Sequence, residues 1–201
     1  DDDTKLRVLV VGDSYAKDLV NVMYEGGAND SIHFSTKQIN SECGNLYTDQ
    51  RFNEYIPQNK LFRCEAMGWY GDSKLKAIML EADEVWLVSS WHSWVIGFLP
   101  ETLTGLTTDF GVKVRVFESK TFGRISRDIA LSIDPIKRPF YTQSAAPDVM
   151  AINKSLAKVI PVDSLVRVQS IFCGESTPDC SIFTPDGRLV SIDGGHLTKA
   201  G

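Results

Sequence analysis

From Leu6 to Val11 the chain runs apolar and rich in valine, and Gly12-Asp13 closes the run; this predicts a short buried β-strand. The spacing then turns helical. Ala16, Leu19, Val20 and Met23 share one face, and Gly26-Gly27 ends the pattern. Ile32 to Ser35 predicts a second short strand. Residues 40–71 show no clean period and carry Gly, Asn, Pro and two cysteines, so they read as one long loop region of the kind that often carries function.

Asp72 or Ser73 is placed to cap a helix with Leu75, Ile78, Met79 and Ala82 on its apolar face. Val85 to Val88 predicts a buried strand that runs out into Ser89-Ser90-Trp91-His92-Ser93-Trp94. Pro100 opens a further helix with Leu103, Leu106 and Phe110 in period and Gly111 as its stop; Val112 to Phe117 is the next strand. Lys120-Thr121-Phe122-Gly123-Arg124 reads as a solvated turn after it. Between Gly123 and Pro147, Ile125, Ile129 and Leu131 hint at a short helix, and three prolines break the rest. Asp148 to Val159 is helical, Ile160 to Val162 a short strand, and Ile182–Thr184 with Leu189–Ile192 a hairpin around Pro185-Asp186-Gly187. Alternating strands and helices predict an α/β fold: a three-layer α/β/α sandwich on a mostly parallel sheet with right-handed crossovers. With no repeat and no linker, residues 1–201 read as one domain.

Composition narrows the class. The chain is 43% hydrophobic and 23% charged, enough for a buried core under a soluble surface. A formal net charge of -5 argues against sequence-independent nucleic-acid binding, so no nucleic-acid partner is expected. No apolar run approaches the roughly 20 residues that span a bilayer, and no basic segment leads into an apolar one. The Asp1-Asp2-Asp3-Thr4 start suits a mature secreted protein or a domain cut from a longer one. None of the four cysteines forms a C-x-x-C pair and only three histidines are present, so no metal site is expected. Of the three possible disulfide connectivities the local one, Cys43–Cys64 with Cys173–Cys180, is favoured, since each pair flanks a polar loop; the alternative is four reduced, buried thiols. The disulfides would imply an oxidising compartment.

In an open parallel sheet, ligands bind at the carboxyl ends of the strands. Three segments reach that edge: Gly12-Asp13-Ser14, the Ser89 to Trp94 run, and the loop holding Gly44. Ser14 falls on a strand-to-helix turn, where a backbone N–H at a helix N-terminus favours a developing oxyanion. A serine hydroxyl is a weak nucleophile unless a base takes its proton. His196 is the candidate base, and Asp193, three residues earlier, is placed to hold the imidazole. Each motif alone has a plain structural reading, a capped turn or an exposed loop. Together, at opposite ends of an α/β chain, they point to nucleophilic catalysis. His92, after the third strand, is either a substrate contact or a partly exposed structural histidine, and His33 reads as surface. Trp69, Tyr70, Trp91 and Trp94 have faces suited to sugar rings or to core packing.

The joint pattern resembles the SGNH (GDSL-type) hydrolase family. Gly12-Asp13-Ser14-Tyr15-Ala16 is similar to its first block and Asp193-Gly194-Gly195-His196 to its last. The resemblance implies a flavodoxin-like sheet, Ser14 as nucleophile, His196 as base and Asp193 as orienting acid, without a cofactor. It also implies an oxyanion hole built from the N–H groups of Ser14 and of a second-block glycine, here Gly44. The third block departs: the family's Gly-x-Asn-Asp is replaced by Val88-Ser89-Ser90-Trp91-His92, so no Asn supplies the third donor. Either the hole has two donors, or the Ser90 hydroxyl or a backbone N–H of this run replaces the third; Trp91 and His92 are candidate substrate contacts.

A strand ending in small residues and then Trp resembles, more closely, the SGNH domains fused to acyltransferase-3 membrane proteins. Asp193, His196, Leu197, Thr198 and Gly201 fit the ending of those domains. That resemblance implies an extracytoplasmic, periplasmic domain tethered through an upstream membrane part. It would pass acetyl, delivered by that part, from Ser14 to a hydroxyl of a bacterial surface polysaccharide such as lipopolysaccharide. A stand-alone carbohydrate esterase, or a non-catalytic carbohydrate- or anion-binding domain, are the alternatives.

Overall fold

Strand β1 (Leu6–Gly12) buries Val8, Val10, Leu9 and Val11 almost completely, and their alternation divides the protein into layers. Val8 and Val10 face one side of the sheet and Leu9 and Val11 the other, because successive strand side chains point to opposite faces. A strand apolar on both faces belongs in the middle of a parallel sheet. The computed structural model describes residues 4–174 and 179–201, so Asp1 to Asp3 lie outside the described residues.

After β1 come α1 (Ser14–Glu25), β2 (Ile32–Gln38), α2 (Leu61–Met67), α3 (Ser73–Glu81), β3 (Glu84–Val88), α4 (Leu99–Phe110), β4 (Lys113–Phe117), α5 (Arg127–Ser132), β5 (Thr142–Ser144), α6 (Pro147–Val159), β6 (Leu165–Val166), α7 (Val168–Cys173) and β7 (Asp179–Ser181). The central sheet has five strands, all parallel, in the order β2-β1-β3-β4-β6. This is the α/β three-layer arrangement with flavodoxin-like order that the sequence predicts. Sequence order reverses between β1 and β3, and a crevice opens at the carboxyl ends of such neighbours.

One face of the sheet packs Trp86, Val88 and Phe117 against Ala16, Leu19 and Val20 of α1. The other packs Val85, Leu87, Val114 and Val116 against Leu75 and Met79 of α3, Leu99, Leu103 and Leu106 of α4, and Leu156 of α6. Each fully buried aliphatic side chain contributes about 1.5–3 kcal/mol. A third cluster, Phe122, Ile125, Ala145, Cys180, Ile182, Phe183 and Val190, lies under the small antiparallel pair β5–β7. It carries the C-terminal loop.

Several predicted elements shift. Residues 61–67, expected as loop, form α2, a helix under two turns long whose buried contact is the half-cystine Cys64. The strand expected at Ile160–Val162 lies at Leu165–Val166 instead, because Pro161 starts a turn that takes the N–H groups of Ser164 and Leu165. The expected hairpin closes as a single Phe183–Leu189 bridge. Lys120 to Gly123 is buried, contrary to the solvated turn expected there, because the C-terminal loop packs over it and Phe122 donates its N–H to Gly194. The cysteines form both local disulfides, Cys43–Cys64 and Cys173–Cys180. No helix among the described residues is long and apolar enough to cross a membrane.

Candidate active site

The end of β1 positions Ser14. Asp13 caps α1 by accepting the Tyr15 N–H at 2.9 Å, which makes Ser14 the first helical residue and leaves its side chain exposed. The first N–H groups of a helix lack intrahelical acceptors, so the Ser14 N–H lies where partial positive charge gathers.

The opposite wall is the loop Asp193-Gly194-Gly195-His196, pinched off by a bridge between Ser191 and Leu197. Gly194 has φ +88°, and a side chain there would overlap the Gly123 carbonyl. Only glycine lets the loop settle against the residues after β4. One Asp193 oxygen accepts the N–H groups of Gly195 at 2.9 Å and His196 at 2.8 Å; the other meets His196 Nδ1 at 2.6 Å. On its far side the ring places Nε2 2.7 Å from Ser14 Oγ. With the imidazole proton on Nδ1 and held by Asp193, Nε2 is free to accept the Ser14 proton. Burial pushes the Asp193 carboxyl upward, but the N–H groups of His196 and Gly195 and the His196 ring outweigh it and hold it at about 2. It therefore stays anionic beside the imidazole.

The remaining predicted residues fall differently. Gly44 follows a short 3-10 turn at φ +69°, with the Trp94 ring where a Cβ would stand. Its N–H is directed to Ser41 O at 3.2 Å. The Ser90 N–H donates to Asp13 Oδ2 at 2.8 Å, and the Trp91 N–H to Ser119 Oγ at 3.0 Å. Both of these N–H groups are engaged, and the Ser90 hydroxyl meets the Tyr15 hydroxyl. The Trp91 indole, expected as a substrate contact, is instead buried and donates to Phe117 O at 2.7 Å, which makes it a brace between β3 and β4. His92 is exposed, just before a 3-10 turn.

Around this core lie groups that linear reading missed. Burial raises the Asp13 carboxyl, while the N–H groups of Tyr15 and Ser90 and the charge of Lys120 pull it back. Burial, with the charges of Asp13 and Asp193, pushes the Tyr15 hydroxyl up to about 12. Lys120 pairs with Asp18 at 2.9 Å. Asn45, fully buried, donates to Val11 O at 2.8 Å and accepts the Tyr70 hydroxyl at 2.6 Å, fixing the loop after Gly44 beneath β1. Asp18 sits one turn after Ser14, which is the one linear hint of a role; no spacing in the sequence pairs it with Lys120, far along the chain. Among the described residues no group of three His, Cys, Asp or Glu side chains could hold a metal ion.

Against models of known families, the chain matches one described as "SGNH domain (fused to AT3 domains)" over residues 1–201. No curated protein matches it.

Proposed function

The chain belongs to the family of SGNH domains fused to AT3 domains, and from that premise we propose that it is a serine-dependent O-acyltransferase with Ser14, His196 and Asp193 as its catalytic groups. The observation that carries this reading is the unbroken hydrogen-bonded line from Ser14 Oγ through His196 to Asp193, at 2.7 and 2.6 Å. These separations lie within the reach a nucleophile and its base need.

In this reading His196 Nε2 takes the Ser14 proton as Oγ attacks the carbonyl of an acetyl donor. The proton passes to the leaving group, and acetyl-Ser14 remains. A sugar hydroxyl then gives its proton to His196 and attacks the acyl carbon; the O-acetyl sugar leaves and Ser14 recovers its proton. The Ser14 N–H, the Ser90 hydroxyl and Gly44 are the oxyanion donors in this scheme. Gly44 serves only if its N–H leaves Ser41. The acceptor class is a bacterial surface polysaccharide, and the acetyl comes from a membrane acyltransferase domain. The fusion to AT3 domains in the family's description supports that partner. In this reading the chain is the extracytoplasmic part of a longer membrane protein, and its two disulfides fit an oxidising compartment such as the periplasm.

Esterase activity is the second reading, favoured by the openness of the site. The His196 side chain is 41% exposed, so water can take the acceptor's place. Turnover of p-nitrophenyl acetate, with and without an oligosaccharide acceptor, tests both. Activity that vanishes in Ser14→Ala and His196→Ala supports a serine enzyme, and acetylated oligosaccharide identifies the transferase. Equal activity in wild type and Ser14→Ala leaves a non-catalytic carbohydrate- or anion-binding domain.

A further inference from the structure

Lys120 is 5% exposed, although it belongs to a residue type that almost always reaches solvent. Its ammonium lies 2.9 Å from Asp18 Oδ2 and 3.8 Å from the centroid of the Tyr15 ring, over its face. Both partners lead to the base. The same Asp18 oxygen accepts the backbone N–H of Leu197, the residue after His196, at 3.0 Å. The Tyr15 ring meets the His196 imidazole edge-to-face, with centroids 5.5 Å apart. One buried cation thus touches the two groups that hold the base-bearing loop against α1.

We propose that Lys120 is a positioning residue for His196, acting through Asp18 and Tyr15. The inference rests on the reading of Ser14 and His196 as nucleophile and base. Asp193 fixes His196 from within its own loop, and the Phe122 N–H holds that loop at Gly194 to the residues after β4, but neither ties it to α1. The Asp18–Leu197 bond is the tie across to the nucleophile's helix. An Asp18 carboxylate without its counter-ion would be repelled by Asp13 and Asp193, which act on the same neighbourhood. Lys120 neutralises it and keeps it aimed at Leu197. Burial pulls the Lys120 ammonium toward its neutral form, and Asp18, Asp13 and Asp193 oppose that. Glu118, half-buried two residues earlier, lines a small apolar cavity with Lys120 and Leu197 and is a further acid nearby. A solvent-facing lysine would be screened and could not hold a backbone loop in this way.

The test compares wild type with Lys120→Met, Asp18→Asn and the double variant. It reads the pH profile of p-nitrophenyl acetate hydrolysis, amide hydrogen exchange at Leu197, and thermal unfolding as the check on folding. Lys120→Met should lower kcat roughly 10- to 100-fold with KM little changed, because a small misplacement of a catalytic group costs that much. Its acid limb should move to higher pH, since a positive charge leaves the imidazole's surroundings while Asp18 stays. Asp18→Asn, which keeps the shape, should move that limb the opposite way. The double variant should return it close to wild type, and Leu197 should exchange faster in Lys120→Met. Shifts of the two single variants in one direction, or wild-type kcat together with wild-type Leu197 exchange in Lys120→Met, overturn the proposal. Should wild type itself not turn over the ester, the reading of the site fails. Leu197 exchange then still decides the clamp, and an unchanged rate rejects it. If Lys120→Met does not fold, Asp18→Asn decides by its pH limb, and an unmoved limb rejects the proposal.

Discussion

Asp13 ties the carboxyl ends of two neighbouring strands together: its Oδ2 accepts the Ser90 N–H at 2.8 Å, while its Oδ1 accepts the Tyr15 N–H at 2.9 Å. One carboxylate therefore caps α1 and fixes the run after β3. The cost is a buried charge, visible in its raised pKa. The middle residue of Gly-Asp-Ser is thus part of the frame that positions Ser14.

Asp13→Ala leaves both N–H groups without an acceptor. Each such loss costs about 1–3 kcal/mol, so we expect destabilisation of roughly 2–6 kcal/mol. That corresponds to a Tm lower by about 4–24 °C for a domain of this size. Asp13→Asn keeps one acceptor oxygen but turns an amide NH2 toward the other N–H, so it should fall between wild type and alanine. Differential scanning calorimetry checks the order.

Asp193→Asn keeps the shape of the loop but removes the charge that stabilises an imidazolium. In serine hydrolases of known mechanism the same change costs about 10⁴-fold in kcat, so a loss of roughly 10²- to 10⁴-fold is expected, with KM little changed. The variant should also alter acid stability. The folded Asp193 carboxyl titrates at about 2, below its ordinary 3.8. Its contribution to stability is fully present above 3.8 and is lost as pH falls through about 2. Asparagine lacks that dependence, so the stability gap between wild type and variant should narrow on acidification across this window. Urea unfolding at several pH values measures it.

Trp69 holds the peptide that precedes Gly44, since its indole N–H donates to Cys43 O at 2.9 Å. Trp69→Phe removes that donor and keeps most of the apolar body. We expect a stability loss of about 1 kcal/mol and a several-fold fall in kcat, if the Cys43–Gly44 peptide serves the oxyanion. Wild-type kcat in a folded Trp69→Phe would separate Gly44 from the reaction.

The Cys43–Cys64 disulfide closes a loop with a sequence separation of 21, against 7 for Cys173–Cys180. Loop-closure entropy gives about 3 kcal/mol for the longer loop and about 1 kcal/mol less for the shorter. The Cys43→Ser/Cys64→Ser pair should therefore be the less stable of the two double variants. It should also be the more damaging to turnover, because it frees the segment that carries Gly44. Chemical denaturation and ester hydrolysis on both variants check the ranking.

What the sequence determined by itself was everything set by local pattern. The valine-rich β1, the helix that starts at Ser14, the stop at Gly111 and the strand–helix alternation rest on spacing, caps and breakers within a few residues of one another, and so they were legible. Ser14, Asp193 and His196 stood out for the same reason, as short motifs next to identifiable elements. The helix at Leu61–Met67 was not legible, because it is under two turns long and its contact with the core is only Leu61, Met67 and the half-cystine Cys64. By sequence Trp91 is a candidate substrate contact and Lys120 part of a solvated turn, yet both are buried. Their environments come from Phe117, Ser119, Asp18 and the C-terminal loop, which are distant along the chain. Only the tertiary structure decided which N–H groups near Ser14 are already taken and that a buried cation backs the loop that carries His196. Those outcomes depend on which groups meet once the sheet has brought both ends of the chain to one edge, and no local spacing encodes such a meeting.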